Sequence, residues 1–206
     1  MRICGAFEPV EYRVYKNSED DPMCLTTMQP QIEDIFPEII EIADETIREI
    51  VVAGWELTAD ESGVDSVQDV QWAPHNVGDV GEHSLVTHVR DVTALSIALA
   101  DCLVEIRHGT VNRDYVVAGA LLHDVSKVFE YKGDEPTPIR YYLEHPHFSI
   151  YLLEKVGTPI PIQHIVLSHT PRSTVPPKTI EAMIVHFADE LAVHGIYNEV
   201  TGNIKM

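Results

Sequence analysis

Several histidines and aspartates of this chain occupy positions where a hydrophobic side chain is expected. The segment LLHDVSK, residues 121–127, places His123 and Asp124 directly after an apolar run. A buried ionised carboxylate without a partner is strongly destabilising, so Asp124 requires a cation or a set of donors around it. Four further polar residues share a helical face with apolar neighbours, namely His88, His145, His169 and Asp189.

One metal centre would satisfy all six of these residues together. As isolated core groups, each would need a separate hydrogen-bond partner. A set that mixes imidazole and carboxylate donors suits Mn, Fe, Co, Ni or Zn better than an ion that prefers only oxygen, such as Ca. We therefore predict a site for divalent transition metals.

The elements that must carry these residues are predicted to be helices. Apolar residues recur at three- and four-residue steps from Phe36 to about Gly54, and again over residues 79–108. On the second of these helices His88 lies on one face with Val92, Leu95, Leu99, Cys102 and Ile106, and Gly109 suits its end. Asn112 can cap a third helix, whose apolar face leads to Asp124.

The rest of the chain completes an all-α prediction. Residues 56–78 and 131–140 are rich in Gly, Pro and charge and predict loops, with Trp72 packing back on the body. Helices are predicted at about 144–156, 160–169 and 177–194. No internal period is found, so we expect a compact irregular helical bundle over residues 31–206, with its core motif region at 80–195. Residues 1–30 are interpreted as a short irregular extension without chemistry.

The composition limits the partners. The chain has 206 residues, 14 of them basic and 33 acidic, and a formal charge of −19. This charge argues against binding a nucleic-acid polymer but leaves room for a small anionic substrate at a locally cationic site. No membrane-length apolar run or signal peptide is recognised, and the three cysteines lack CxxC spacing, so the expected location is the cytoplasm. A homo-oligomer stays open.

Taken in order, the motifs resemble the HD-domain metal-dependent phosphohydrolase superfamily. HVRDVTALSIALAD resembles its first ligand helix, and AGALLHDVSK is close to its AALLHDIGK segment. HPHFSIYLLEKVG resembles its HPxxG-type helix, while IVLSHT and VHFADELAVH resemble the fourth His and the closing Asp segment. Ser126 replaces the usual Gly, and Thr170-Pro171 follows His169 where cyclic-di-GMP phosphodiesterases of the superfamily carry a second His and a GYP signature. That specific activity is therefore not expected.

The resemblance implies a ligand set for one or two ions. His88, His123, Asp124 and Asp189 would bind a first metal. His145 and His169 would bind a second, with Asp124 bridging. His83 competes with His88, and His147 with His145, while His186 lies on the same helical face as Asp189 and is expected to line the pocket. Val92, four residues after His88, and Ser149, four residues after His145, favour His88 and His145.

The implied activity is hydrolysis of a small phosphorylated molecule, a phosphomonoester or phosphodiester such as a nucleotide. A bound metal lowers the pKa of a coordinated water and stabilises negative charge on a phosphoryl group. Asp124 and Lys127 are the predicted catalytic residues, and Lys127, Arg172 and Arg140 the predicted substrate contacts.

Two other functions are compatible with this sequence. Some HD-type proteins with a similar six-ligand pattern are di-iron oxygenases that act on alcohols or phosphonates. A non-catalytic metal or nucleotide sensor is the third reading, and it predicts a lost ligand or an attached regulatory domain.

Overall fold

Eight α-helices form the part of the chain that the computed structural model describes, residues 31–72, 83–133 and 135–203. They are α1 (Ile32–Ile35), α2 (Glu45–Ser62), α3 (Leu85–Arg107), α4 (Arg113–Leu122), α5 (Pro138–Tyr142), α6 (Glu144–Lys155), α7 (Ile160–Ser168) and α8 (Ile180–Thr201). Short 3₁₀ helices cover Pro37–Glu41, Val67–Asp69 and Lys127–Phe129. The strands β1 (Tyr131–Lys132) and β2 (Glu135–Pro136) pair as a small antiparallel hairpin. The all-α prediction is confirmed.

Polar caps define the starts of the main helices. Asp44, Ser84, Asn112 and Thr179 each accept a hydrogen bond from a backbone N–H in the first turn of α2, α3, α4 and α8. These bonds satisfy donors that have no partner within the helix. The predicted cap at Asn112 is confirmed.

Helix α4 forms the centre of the bundle. Seven consecutive residues from Val116 to Leu122 are buried, and the helix packs against α2, α3, α7 and α8. On one side the Trp55 indole donates to the Leu121 carbonyl oxygen at 3.0 Å. On the other side Gly119 faces Ile165 of α7 so closely that an added Cβ would lie 2.5 Å from Ile165 Cγ2. The segment carrying His123 and Asp124 is therefore anchored by the core on both sides.

Two predicted helix boundaries are wrong. The first predicted helix is broken after the 3₁₀ turn Pro37–Glu41, and α2 runs through Gly54 to Ser62. Gly54 lies inside the helix, where it allows Leu122 to pack closely. A Cβ at this position would lie 3.0 Å from Leu122 Cδ2. The predicted loop 56–78 is accordingly helical in its first part.

Other expectations need smaller corrections. The apolar face of α3 turns outward beyond Leu95, because Leu99 is 38% and Ile106 73% exposed and Cys102 is exposed. His108, with φ 52°, ends α3 one residue before the predicted Gly109. The predicted loop 131–140 contains the hairpin and the start of α5.

The helix predictions at 144–156 and 160–169 agree closely with α6 and α7, and Trp72 is buried as expected. The predicted helix 177–194 is corrected at both ends, because α8 begins at Ile180 after its cap Thr179 and continues to Thr201. The predicted extension 1–30 lies outside the described residues, and so does the predicted start of α3 at residue 79. Among the described helices, none combines the length and apolar character that crossing a bilayer requires.

Candidate metal centre

The six predicted metal ligands converge from five helices, four of which begin or end at the cluster. His88 lies in the first turn of α3, and Asp189 in the middle of α8. His123 and His169 directly follow α4 and α7, Asp124 is the next residue after His123, and His145 lies in the first turn of α6. All six are buried, with 0–6% of each residue exposed.

Asp124 has its two carboxylate oxygens directed at two different sets of donors. Oδ2 lies 3.3 Å from Nε2 of His88 and 3.3 Å from Nε2 of His123. Asp189 Oδ1 joins this set at 3.1 Å from His88 Nε2 and 3.9 Å from His123 Nε2. We call His88, His123, Asp189 and Asp124 Oδ2 the first half of the centre.

The other oxygen of the same carboxylate faces the remaining histidines. Asp124 Oδ1 lies 3.2 Å from His145 Nε2 and 3.6 Å from His169 Nε2, and these two nitrogens are 3.3 Å apart. This group is the second half of the centre. The two triads His88–His123–Asp124 and Asp124–His145–His169 each place one donor atom per residue close enough together to hold an ion.

Hydrogen bonds at the back of the imidazole rings determine which nitrogen faces inward. The Nδ1 atoms of His123 and His169 lie 2.6 Å from the carbonyl oxygens of Ala120 and Val166, three residues earlier in each case. A carbonyl can only accept, so each Nδ1 carries the proton. Each neutral ring then presents the lone pair of Nε2 to the centre, which is the state that binds metal.

The residues fit a pair of metal ions by their unsatisfied atoms as well as by their chemistry. Asp124 Oδ1 is buried and has no hydrogen-bond partner. His88 Nε2 and His123 Nε2 are 3.2 Å apart, close to the 3.3 Å of the other histidine pair, so each half brings two ring nitrogens together. Bound cations would satisfy these atoms, so the predicted divalent metals suit the site, while the choice among Mn, Fe, Co, Ni and Zn stays a prediction.

The charges around the centre keep its carboxylates ionised. Burial raises the pKa of Asp124, but the Lys127 ammonium and the rings of His123 and His145 outweigh burial and hold this pKa well below its ordinary value. Burial likewise opposes ionisation of Asp189, and its hydrogen bond with His88 is the main influence that lowers its pKa.

The two halves act differently on their histidines. In the first half, burial lowers the pKa of His88, but the bonds to Asp124 and Asp189 outweigh it and raise the pKa overall. In the second half, burial dominates and lowers the pKa of His145. The pKa of the histidine is therefore shifted in opposite directions in the two halves.

Lys127 lies at the edge of the first half. Its Nζ is 2.7 Å from Asp124 Oδ2 and 5.3 Å from the centre of the Trp72 ring. Trp72 in turn stacks on His88, with 4.7 Å between ring centres. Lys127 is thus beside the predicted metal ligands, and its partly exposed side chain (18%) faces out of the core.

The other two predicted substrate contacts differ in their surroundings. The Arg140 guanidinium forms an ion pair with Glu130, with Nη1 3.2 Å from Oε1. Arg172 is exposed, and its guanidinium forms no ion pair with any described residue. A contact of either arginine with substrate stays a prediction.

The alternative histidines lie away from the cluster. His83 Nε2 pairs with Glu199 at 3.3 Å, and His147 is exposed. His186 is half-buried, with Nδ1 3.3 Å from the Ser168 carbonyl oxygen, directly before His169. These positions agree with the choice of His88 and His145.

Glu130 was missed by the sequence reasoning. This buried glutamate (3% exposed) lies 3.1 Å from His145 Nδ1, at the back of the ring that faces Asp124. Burial raises the pKa of Glu130, but the hydrogen bond with His145 and the charge of Arg140 lower it below its ordinary value. The only sequence signal is an acidic residue directly after the apolar pair Val128-Phe129.

With this geometry established, comparison with known proteins identifies the class. The HD domain family matches residues 85–193, which include all six converging residues. The chain belongs to the HD domain family.

Individual relatives lie within the same class. The dihydroneopterin 2',3'-cyclic phosphate phosphodiesterase of Methanocaldococcus jannaschii is 40% identical over 114 residues, covering 53% of this chain and 46% of that protein. The 3'-5' exoribonucleases YhaM of a Geobacillus strain and of Bacillus subtilis are 32% and 33% identical, over 53% and 52% of this chain and 38% and 37% of theirs. The chain thus matches less than half the length of each of these relatives. No solved structure gives a significant match.

Proposed function

We propose that this protein is a metal-dependent hydrolase of a small phosphorylated substrate. The observation that carries the proposal is the single buried carboxylate of Asp124, whose two oxygens face two separate sets of histidines. A carboxylate in this arrangement could hold two cations, one at each oxygen. Two-metal sites of mixed imidazole and carboxylate donors are typical of enzymes that cleave phosphate esters.

Each part of the centre has a role in this proposal. His88, His123 and Asp189 would bind one ion and His145 and His169 the other, with Asp124 holding both at a fixed separation. When bound, such ions activate water as a nucleophile and offset negative charge on the phosphoryl group. Lys127, whose ammonium lies beside Asp124 Oδ2, would leave this carboxylate for a phosphate oxygen when the ions and substrate are in place.

A small phosphodiester is the substrate class that the relatives support best. The Methanocaldococcus relative is named for a 2',3'-cyclic phosphate, and we propose a cyclic phosphodiester of this kind for the present chain. The surplus of acidic residues favours a small substrate over an RNA chain. The YhaM relatives are exoribonucleases, so an RNA end is the competing substrate to test against the cyclic phosphodiester.

The test is a substrate panel with the full chain, stripped of metal and reloaded with Mn²⁺, Co²⁺ or Fe²⁺. The panel contains 2',3'-cyclic and 3',5'-cyclic nucleotides, phosphomonoesters and a short single-stranded RNA. We expect ring opening of a 2',3'-cyclic phosphate to a monoester, abolished by chelation and restored by one of the metals. Shortening of RNA alone would contradict the small-substrate proposal. A protein that holds two ions and hydrolyses nothing, but consumes oxygen and gives a di-iron paramagnetic signal, would replace it by the oxygenase.

A further inference from the structure

Glu130 and Arg140 form a polar unit behind His145 in the second half of the centre. Glu130 Oε1 lies 3.1 Å from His145 Nδ1, 3.2 Å from the His145 backbone nitrogen and 3.2 Å from Arg140 Nη1. One buried oxygen thus contacts the ring, the main chain and the guanidinium at once. Of the six predicted metal ligands, only His145 takes part in these contacts.

The main-chain contact replaces a missing helix cap. Leu143, at the N-cap position of α6, makes no side-chain cap hydrogen bond. The His145 N–H in the first turn instead donates to Glu130, fifteen residues earlier in the chain. A helix start whose donors are unsatisfied is unstable, so Glu130 supplies from another element what the local sequence lacks.

The backbone just before His145 is also strained. Glu144 has φ 58°, in the left-handed region, which costs a non-glycine residue on the order of 1–2 kcal/mol. Such a conformation persists only where surrounding contacts hold it. Besides the Glu130 bond, the Ser126 hydroxyl donates to the His145 carbonyl oxygen at 2.8 Å, and Ser149 donates to Ser126 at 2.9 Å. The position of His145 is therefore fixed by contacts to residues 126–130, immediately after the bridging Asp124.

The ring contact determines which nitrogen of His145 faces the centre. Because Glu130 accepts a hydrogen bond at Nδ1, the proton of the neutral ring resides there and the Nε2 lone pair faces Asp124 Oδ1. His123 and His169 obtain the same tautomer from carbonyl oxygens of their own helices. His145 lies in the first turn of α6, so the residue three positions earlier, Tyr142, belongs to α5 and not to the same helix. A carboxylate from elsewhere in the chain takes the place of that carbonyl. A carboxylate that accepts a hydrogen bond from a metal-ligating imidazole raises the basicity of that ring as well as orienting it.

We propose that Glu130, held in place by Arg140, is the positioning residue of the second metal site and sets the affinity of that site through His145. This inference rests on the proposed two-metal function. It assigns Arg140 to the support of Glu130, in place of the substrate contact predicted from the sequence.

The test measures metal binding by the full-length apoprotein, without using turnover. Mn²⁺ and Co²⁺ are titrated by calorimetry into the wild type and into Glu130→Ala, Glu130→Gln and Arg140→Met, and bound metal is counted by elemental analysis. The control is Glu61→Ala, which removes an ion pair to Lys155 at the opposite end of α6, where Nζ and Oε1 are 2.6 Å apart.

The expected result is selective. Wild type and Glu61→Ala bind two ions, whereas Glu130→Ala binds one with unchanged affinity and the other about 10- to 100-fold more weakly. Glu130→Gln, which keeps an acceptor oxygen, recovers part of the loss, and Arg140→Met shows a smaller effect in the same site. In the apoprotein, the His145 Nδ1–H proton resonance is present in wild type and lost in Glu130→Ala.

Other outcomes would overturn the inference. If Glu130→Ala bound two ions with wild-type affinities, Glu130 would have no role in the second site. Equal weakening of both sites, together with a lower melting temperature, would show that Glu130 only stabilises the fold. A wild type that binds two ions but cleaves no phosphoester would refute the proposed function and leave the positioning role intact. A wild type that binds fewer than two ions would remove the second site and the inference with it.

Discussion

The two halves of the centre share one carboxylate but are supported in different ways. In the first half, His88, His123 and Asp189 come from α3, the end of α4 and α8, three elements packed against one another in the core. In the second half, the position of His145 depends on the polar contacts of Glu130 and Ser126 at the start of α6. The three residues of the first half are thus carried by helices that pack together, whereas His145 of the second half is held by hydrogen bonds from residues outside its own helix. The two sets of side chains around one carboxylate are therefore built differently.

The largest effect is expected from substitution of Asp124, the residue that both halves share. Asp124→Asn keeps the shape of the side chain but leaves one oxygen and no charge, so neither half retains its bridge. We expect loss of both tightly bound ions and a fall in turnover of at least about 1,000-fold, beyond the 10- to 100-fold typical of residues that only support ligands. Elemental analysis and initial rates check this, and a variant that keeps two ions would show that the halves are independent.

Removal of one histidine from each half should separate them. His88→Ala and His145→Ala are each expected to reduce the bound metal from two ions to one, with turnover lower by several hundred-fold because both ions are needed for chemistry. His147→Ala, on the exposed side of the same turn as His145, is the matched control and should bind two ions. If His88→Ala lost both ions while His145→Ala lost one, the second half would depend on the first.

Substitution of Lys127 tests whether substrate binds at the edge of the first half. Lys127→Met removes the ammonium beside Asp124 Oδ2 and is expected to lower turnover about 100-fold with two ions still bound. Lys127→Arg should recover part of that activity. Unchanged kinetics in Lys127→Met would limit the lysine to a structural ion pair.

The smallest expected effect concerns the contact between α4 and α7, which connects the two halves. Gly119→Ala would place a methyl group against Ile165 and is expected to destabilise the fold by about 1–3 kcal/mol, because a filled core must shift to admit it. Gly195→Ala in α8 is the control, since nothing lies within 4 Å of its added Cβ and alanine favours the helix by about 1 kcal/mol. Urea unfolding measures both changes. An unaltered stability for Gly119→Ala would show that moving α7 costs no more than the helix propensity of alanine supplies.

The sequence predicts which polar side chains come together and does not predict what supports them. Residues such as His88 and Asp189 could be recognised because a polar group on an apolar helical face is conspicuous at regular spacing. Glu130 could not, since it lies between a 3₁₀ turn and a hairpin, and only the tertiary fold brings it to His145. The prediction that a helix ends near Gly54 is wrong for a related reason. A glycine that permits close packing is indistinguishable in one sequence from a glycine that ends a helix.

The outward turn of α3 has the same origin. Leu99 and Ile106 continue the apolar spacing of Val92, but the neighbouring helices do not cover them. Periodicity indicates which side chains share a face and not how far the partner helices extend along it.

The placement of His123 and His169 at the ends of their helices has an electrostatic consequence. Helices α4 and α7 both finish at the centre, so both direct the carbonyl ends of their peptide dipoles toward it. Each such terminus is equivalent to roughly half a negative charge. This attraction for cations belongs to the main chain, so replacing a ligand side chain leaves it in place. The first turns of α3 and α6 carry His88 and His145 to the same centre, and the positive ends of these two helices offset that attraction, so tight cation binding depends on the ligand side chains.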